Sequence, residues 1–211
     1  MVQHRVFSLA WRFLSVALCR EGAASSSLTE EMPMPAYPAE LTEIWDGAGE
    51  RLIVRPIRAE DAPALDAFFH RLSPEDIRLR FFAAIRELSP GLLARLTRLD
   101  YDRDMAFVAV RPASGAIVGV ARLVHGDAPD SAEFAVVVEA TLKGHGLGVH
   151  LMQRVLDWGW RHGLRRVVGE ILADNEPMLE LARFLGFGLH HLPGETGVIR
   201  AELPAPAPVA A

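Results

Sequence analysis

Cysteine and lysine are almost absent from this chain, which has one of each, Cys19 and Lys143. A lone cysteine excludes an intrachain disulfide and any zinc site built from several thiolates. The other basic side chains are arginines, and the balance is acidic: 22 basic against 27 acidic residues, a formal charge of -5. Nucleic acid recruits a net basic face, so it is not expected as a partner. No transmembrane span is expected either. The apolar stretch near the N-terminus is short and interrupted by Arg12, whereas a spanning helix needs about 20 apolar residues. What the chain does have is apolar bulk. Half of its 211 residues are hydrophobic, enough to bury one core and to exclude wholesale disorder.

The two ends differ from the middle. Residues 1–31 carry no acid before Glu21, and Val6, Leu9, Ala10, Phe13 and Ala17 recur at helical spacing. Such a segment suits a basic amphipathic helix, a targeting segment or a surface anchor. The preferred reading is that translation begins at Met32 or Met34, which leaves the extension untranslated or disordered. Residues 32–50 read as a linker, Pro-rich between Met32 and Pro38, and 203–211 as a disordered Ala/Pro tail. A cytoplasmic location is expected. Oligomeric state is not legible.

Between these ends the hydrophobic period alternates between two values. Leu52, Val54 and Ile57 predict a first strand closed by Pro56. A helix is expected through Leu65, Phe68 and Phe69. Ser73-Pro74-Glu75-Asp76 and Ser89-Pro90 are two further helix starts, each with serine at the cap and proline in the first turn. Met105 to Val110 and Ala116 to Val124 predict a hairpin about Ser114-Gly115. Ala132 to Val138 is a third apolar run, followed by a long helix from about Gly146 to His162. A strand at Arg166 to Leu172, a helix at Glu176 to Leu185 and closing strands at Phe187 to His191 and Gly197 to Ala201 complete the order. The α/β (α+β) class follows: a mixed sheet with helices on its faces.

The informative stretch is Lys143-Gly144-His145-Gly146-Leu147-Gly148, between a strand and a long helix. Glycines there allow a tight turn and close approach of a ligand, and the helix start offers free N–H groups to a phosphate or pyrophosphate. The G-x-G-x-G order is not the G-x-G-x-x-G of a dinucleotide fold, and it follows the fourth expected strand rather than the first. Gly148 is followed by Val149-His150, not by the Lys-Ser/Thr of a P-loop.

Those residues carry a family resemblance. Lys143 to Gly148 resembles the Q/R-x-x-G-x-G/A acyl-CoA pyrophosphate loop of the GNAT superfamily of N-acetyltransferases. Asn175-x-x-Met178-x-x-Leu181-Ala182 ending at Leu185-Gly186-Phe187 is similar to the family's following helix. The resemblance spans about 51–202. Within the superfamily, Arg55-Pro56-Ile57-Arg58, Leu72-Ser73-Pro74-Glu75, Arg80-Phe81-Phe82 and Asp100-Tyr101-Asp102-Arg103 look like the acetyltransferase domain of bacterial protein lysine acetyltransferases. The resemblance implies a mostly antiparallel twisted sheet of six to seven strands with helices on both faces. It implies acetyl-CoA as cosubstrate, no metal, and a protein lysine or a small amine (polyamine, amino sugar or antibiotic) as acceptor. A non-catalytic acyl-CoA-binding regulatory module is the alternative. Two departures stand out: Lys143 replaces the usual Gln or Arg, and Ala182 stands where many members carry a tyrosine acid.

Transfer to an amine needs a base, because a lysine ammonium has a pKa near 10.4 and is almost wholly protonated at neutral pH. Glu133 is the candidate: a lone acid in an apolar strand is costly unless used or paired, and its position matches the family's strand glutamate. Glu170, in the next apolar strand, is the rival. The cofactor contacts expected are the backbone at Val136, Val137 and Val138, the loop residues Lys143, Gly144, His145, Gly146, Leu147 and Gly148, and Asn175. Asp100, Tyr101 and Asp102 read as loop residues, lining of the amine site being the lesser alternative, and His190-His191 as surface residues.

Overall fold

The computed structural model describes residues 36–207 apart from 127, 193 and 195. The extension 1–31 and the last residues of the tail lie outside the described residues.

Eight strands form one sheet in the order β1-β2-β3-β4-β5-β6-β8-β7. They are β1 (Glu43–Gly47), β2 (Glu50–Pro56), β3 (Met105–Val110), β4 (Ile117–His125), β5 (Ser131–Val138), β6 (Arg166–Leu172), β7 (Gly188–His191) and β8 (Val198–Pro204). All neighbours are antiparallel except β5 and β6. The count exceeds the expected six to seven because β1 lies in the stretch read as a linker. It pairs with β2 through a tight turn at Ala48-Gly49, where both residues have positive φ (53° and 74°). The closing strand also runs further than Ala201: Leu203 and Pro204, read as tail, pair with Val167 and Arg166.

Five α-helices occur among the described residues: α1 (Ala62–Phe69), α2 (Pro74–Phe81), α3 (Pro90–Thr97), α4 (Leu147–Arg161) and α5 (Glu176–Phe184). The serine caps form as the sequence dictates. Ser73 Oγ accepts from the Asp76 N–H at 3.0 Å and Ser89 Oγ from the Leu92 N–H at 3.2 Å. Each such cap is worth ~1 kcal/mol.

The sheet is buried on both faces. Met105, Phe107 and Ala109 of β3 join a core with α4 and α5, while Ala106, Val108 and Val110 join a second core with α1 and α3. An unbroken apolar run in an antiparallel strand has this cause: period two sends alternate residues into two separate cores. On α4 the buried stripe runs through Leu147, Leu151, Met152, Val155, Leu156 and Gly159. Each fully buried leucine of such a stripe contributes about 1.5–3 kcal/mol.

Candidate active site

Strands β5 and β6 pair for three residues only, Ser131 to Glu133 against Arg166 to Val168. Beyond Glu133, β5 keeps its ladder with β4, and β6 keeps its ladder with β8. The sheet therefore splits in its middle. The Phe134 ring lies in the fork, 4.8 Å from the Phe187 ring, and fills the space a side chain at Gly169 would need. A cavity of about 930 Å³ opens along the split, bordered by every residue from Glu133 to Val138. No bulge interrupts β5, so alternation holds. Phe134, Val136 and Val138 face the α4–α5 core, and Val137 packs against the opposite core. By the same alternation Glu133, Ala135 and Val137 share a face. Because the split exposes the strand edge, both faces border one cavity, which thus runs through the sheet from α2 and α3 to α4 and α5.

The glycine loop closes one end. Gly144 and Gly146 have φ of +75° and +88°, the left-handed region that glycine enters without strain. A Cβ at either would meet nothing within 4 Å, so the loop stands open to an approaching group. Gly146 caps α4 without a side-chain acceptor, and the first intrahelical bond runs from His150 N–H to Gly146 O at 2.9 Å. The N–H groups of Leu147, Gly148 and Val149 precede that bond. Together with the helix dipole they form an anion cradle. The Leu147 side chain itself is in the core, so its contribution is restricted to the backbone.

Helix α2 lies across the cavity and is tied to both rims. The Lys143 ammonium pairs with the Asp76 carboxylate, whose other oxygen accepts from Ser73 Oγ at 2.8 Å. On the opposite rim Arg78 reaches Asp174 at 2.8 Å, in the turn before α5. Asn175 caps α5, accepting from the Met178 N–H at 3.3 Å, and also borders the cavity.

Charge is concentrated at the inner end. Glu133 and Glu170 both border the cavity, as do Arg80, Asp104, Arg122 and His125. Arg122 is buried and donates to Leu96 O at 2.9 Å. Burial pushes its guanidinium down to about 9, with Arg80 adding and Asp104 opposing. Burial likewise pushes Arg80 down to about 10, against the charge of Glu133. Burial raises the Asp104 carboxyl, against the His125 N–H that it accepts at 2.9 Å.

The split thus brings together Glu133, Glu170, Val136 to Val138, Lys143, Gly144, Gly146, Gly148 and Asn175. His145 is exposed and does not border the cavity. Tyr101 donates its hydroxyl to Ile57 O at 2.8 Å, Asp100 accepts from the backbone of its own turn, and none of Asp100, Tyr101 and Asp102 borders the cavity. Ala182 is wholly buried. The sequence reading missed Arg80, Asp104, Arg122 and His125. Arg122, a lone charge in an apolar strand, carried the same signal as Glu133.

A sheet split beside an anion-binding helix start, with carboxylates inside the gap, defines an acyl-CoA-dependent N-acetyltransferase. The chain belongs to the GNAT family: the profile of the acetyltransferase (GNAT) domain matches residues 51–188. The chain is 36% identical over 141 residues to Acetyltransferase PA5475 of Pseudomonas aeruginosa, covering 66% of this chain and 76% of that one. It is similar to the crystal structure of the GNAT domain of S. lividans PAT, with 26% identity and a TM-score of 0.73 over 80% of this chain and 99% of that one. The structure of yncA, a putative acetyltransferase from Salmonella typhimurium with its cofactor acetyl-CoA, shares the fold at 19% identity and a TM-score of 0.59, over 75% and 96% of the two chains. Among the described residues no helix is long and apolar enough to cross a membrane, and no three acids, histidines or cysteines gather as for a metal.

Proposed function

We propose that the chain transfers an acetyl group from acetyl-CoA to the side-chain amine of a protein lysine, with Glu133 as general base. The observation that carries this reading is the position of Glu133, at the point where β5 leaves β6 and on the strand face turned toward α1–α3. The donor enters from the α4–α5 side. Its pyrophosphate rests on the N–H groups of Leu147 to Val149, and its thioester lies along Val136 to Val138. The acceptor enters from the α2–α3 side.

Glu133 takes a proton from the ammonium, directly or through one water. The freed amine attacks the thioester carbon, and backbone N–H groups of β5 stabilise the oxyanion. The nitrogen of the tetrahedral adduct still carries one proton too many. Collapse breaks the C–S bond as that proton passes through water to the leaving sulfur, giving an amide and free CoA thiol; Ala182 offers no hydroxyl to relay it. The lysine acceptor is supported by the motifs shared with bacterial protein lysine acetyltransferases and by the likeness to the GNAT domain of S. lividans PAT.

Glu133→Gln is the test. It should lower kcat about 10²–10⁴-fold, the range of a positioned base, with acetyl-CoA affinity intact. Full retention of turnover would remove Glu133 as the base and pass the role to Glu170, which Glu170→Gln then checks. Peptides with one lysine, run beside polyamines and amino sugars, test the acceptor. Faster turnover of the small amines would overturn the protein-lysine assignment.

A further inference from the structure

Arg122 has no part in the transfer to lysine. It sits on β4 directly opposite Ala135 of β5, on the sheet face turned toward α1–α3. It is 4% exposed, and among the described residues its guanidinium meets one hydrogen-bond acceptor, Leu96 O at 2.9 Å. A guanidinium carries five N–H donors, so that tie leaves most of them unused. Burial pushes the group down only to about 9, so it is still a cation at neutral pH. A buried cation is costly unless an anion meets it. The guanidinium also borders a side chamber of about 40 Å³ between β4, β5 and the helices α1 to α3. Arg80, Phe81, Leu96, Arg122, Ala135 and Val137 border both this chamber and the main cavity, so the chamber opens from the acceptor side. A cavity needs about 10–15 Å³ to hold one water, so the chamber has room for roughly the three heavy atoms of a carboxylate. Apart from the two guanidinium groups its walls are apolar, and the charge of Arg80 already answers to Glu133.

The register sets the distance to the reacting centre. Because Arg122 faces Ala135, Glu133 is its diagonal neighbour on the same sheet face, roughly 7–8 Å away between backbones. An amine at Glu133 and an anion at Arg122 therefore fit one short molecule. A protein lysine brings its ammonium on a bare alkyl stem and offers this guanidinium nothing. We infer that Arg122 binds the carboxylate of a second class of acceptor, a free amino acid, whose amine is presented to Glu133. The inference goes beyond the protein-lysine reading and rests on the acetyl-transfer reading of the split. A carboxylate completes Arg122 with charge-assisted, bidentate hydrogen bonds. Phe82, Leu92 and Leu99, on the same side of the cavity, offer the amino acid's side chain an apolar bed. The chemistry balances as it does for lysine. The amine, freed by loss of a proton to Glu133, bonds to the thioester carbon. The second nitrogen proton passes to sulfur as the C–S bond breaks. The products are an N-acetylamino acid and free CoA thiol, and the carboxylate leaves as it came.

The experiment offers acetyl-CoA with each standard L-amino acid and, beside it, that amino acid's carboxamide, which lacks the negative charge. At least one amino acid should be acetylated with kcat/KM about 10- to 100-fold above its carboxamide, the range of hydrogen bonds to a charged group. Arg122→Met should erase that margin, and Arg122→Lys should keep part of it. Circular dichroism accompanies both variants, and the wild-type margin alone decides the matter where a variant fails to fold. No acetylated amino acid, carboxamides turned over as fast, or a margin that survives in folded Arg122→Met would overturn the inference. So would a preference for succinyl-CoA over butyryl-CoA that Arg122→Met removes, which would give the guanidinium to the donor's acyl group. A single-lysine peptide is the control. Transfer to the peptide and to none of the amino acids sinks this inference alone, whereas transfer to neither sinks the acetyl-transfer reading with it.

Discussion

One ammonium at the cavity mouth has two anions to serve. Lys143 pairs with Asp76 in the structure, and the same side chain begins the loop that would hold the donor pyrophosphate. Removing either partner should therefore move donor affinity in opposite directions. The pair is half open to water, with side-chain exposures of 46% for Lys143 and 10% for Asp76, so its worth is about 0.5–1 kcal/mol after screening. Asp76→Asn releases Lys143 from that competition and should tighten acetyl-CoA binding about 2- to 5-fold. Lys143→Met removes a cation from the phosphates and should weaken binding roughly 5- to 10-fold, with a shallower salt dependence. The double variant should match Lys143→Met alone, because Asp76 then has no ammonium to withhold. Asp76 is also a first-turn acid of α2, so its loss costs ~0.3–1 kcal/mol of stability, which appears in melting rather than in binding. Calorimetric titration with acetyl-CoA at about 50 and 500 mM salt reads all of this. Additive effects of the two substitutions, or weaker binding by Asp76→Asn, would refute the competition.

Three further outcomes follow from the same geometry. Folding raises the pKa of Asp104 above its ordinary 3.8, so the native state holds that proton more tightly than the unfolded chain. Stability should then fall as pH climbs through the interval between 3.8 and the raised value, and Asp104→Asn should flatten that fall; urea midpoints that keep the same pH dependence would refute it. Ala182→Tyr should destabilise the fold by about 1–3 kcal/mol because the position is wholly buried, as read by thermal melting. Incubation with acetyl-CoA should acetylate Lys143, the single lysine of the chain, and reproduce the donor affinity of Lys143→Met. Peptide mass spectrometry of active enzyme checks this, and an unmodified Lys143 sinks it.

The element order was legible because local signals carried it. Ser73-Pro74 and Ser89-Pro90 announced two helices that form where expected, and Ser114-Gly115 announced the β3–β4 hairpin. The glycine loop was legible for the same reason, since Gly144 and Gly146 need left-handed backbone. What escaped was non-local. Lys143 meets Asp76 across 67 positions of sequence and Arg78 meets Asp174 across 96, and no periodicity encodes either meeting. Strand β1 escaped because its stretch follows a proline-rich segment and half-buries its residues, with none in the core.

The split sheet has a consequence for how specificity can change. Along β5, Phe134, Val136 and Val138 belong to one side of the opening, and Glu133, Ala135 and Val137 to the other. Under the proposed function the strand is written in two interleaved alphabets, one read by the molecule that gives the acyl group and one by the molecule that receives it. A substitution at Ala135 or Val137 would alter the receiver's pocket and leave the giver's track, and the base at Glu133, in place. Acceptor choice can drift along this strand while the donor stays the same, one letter in two.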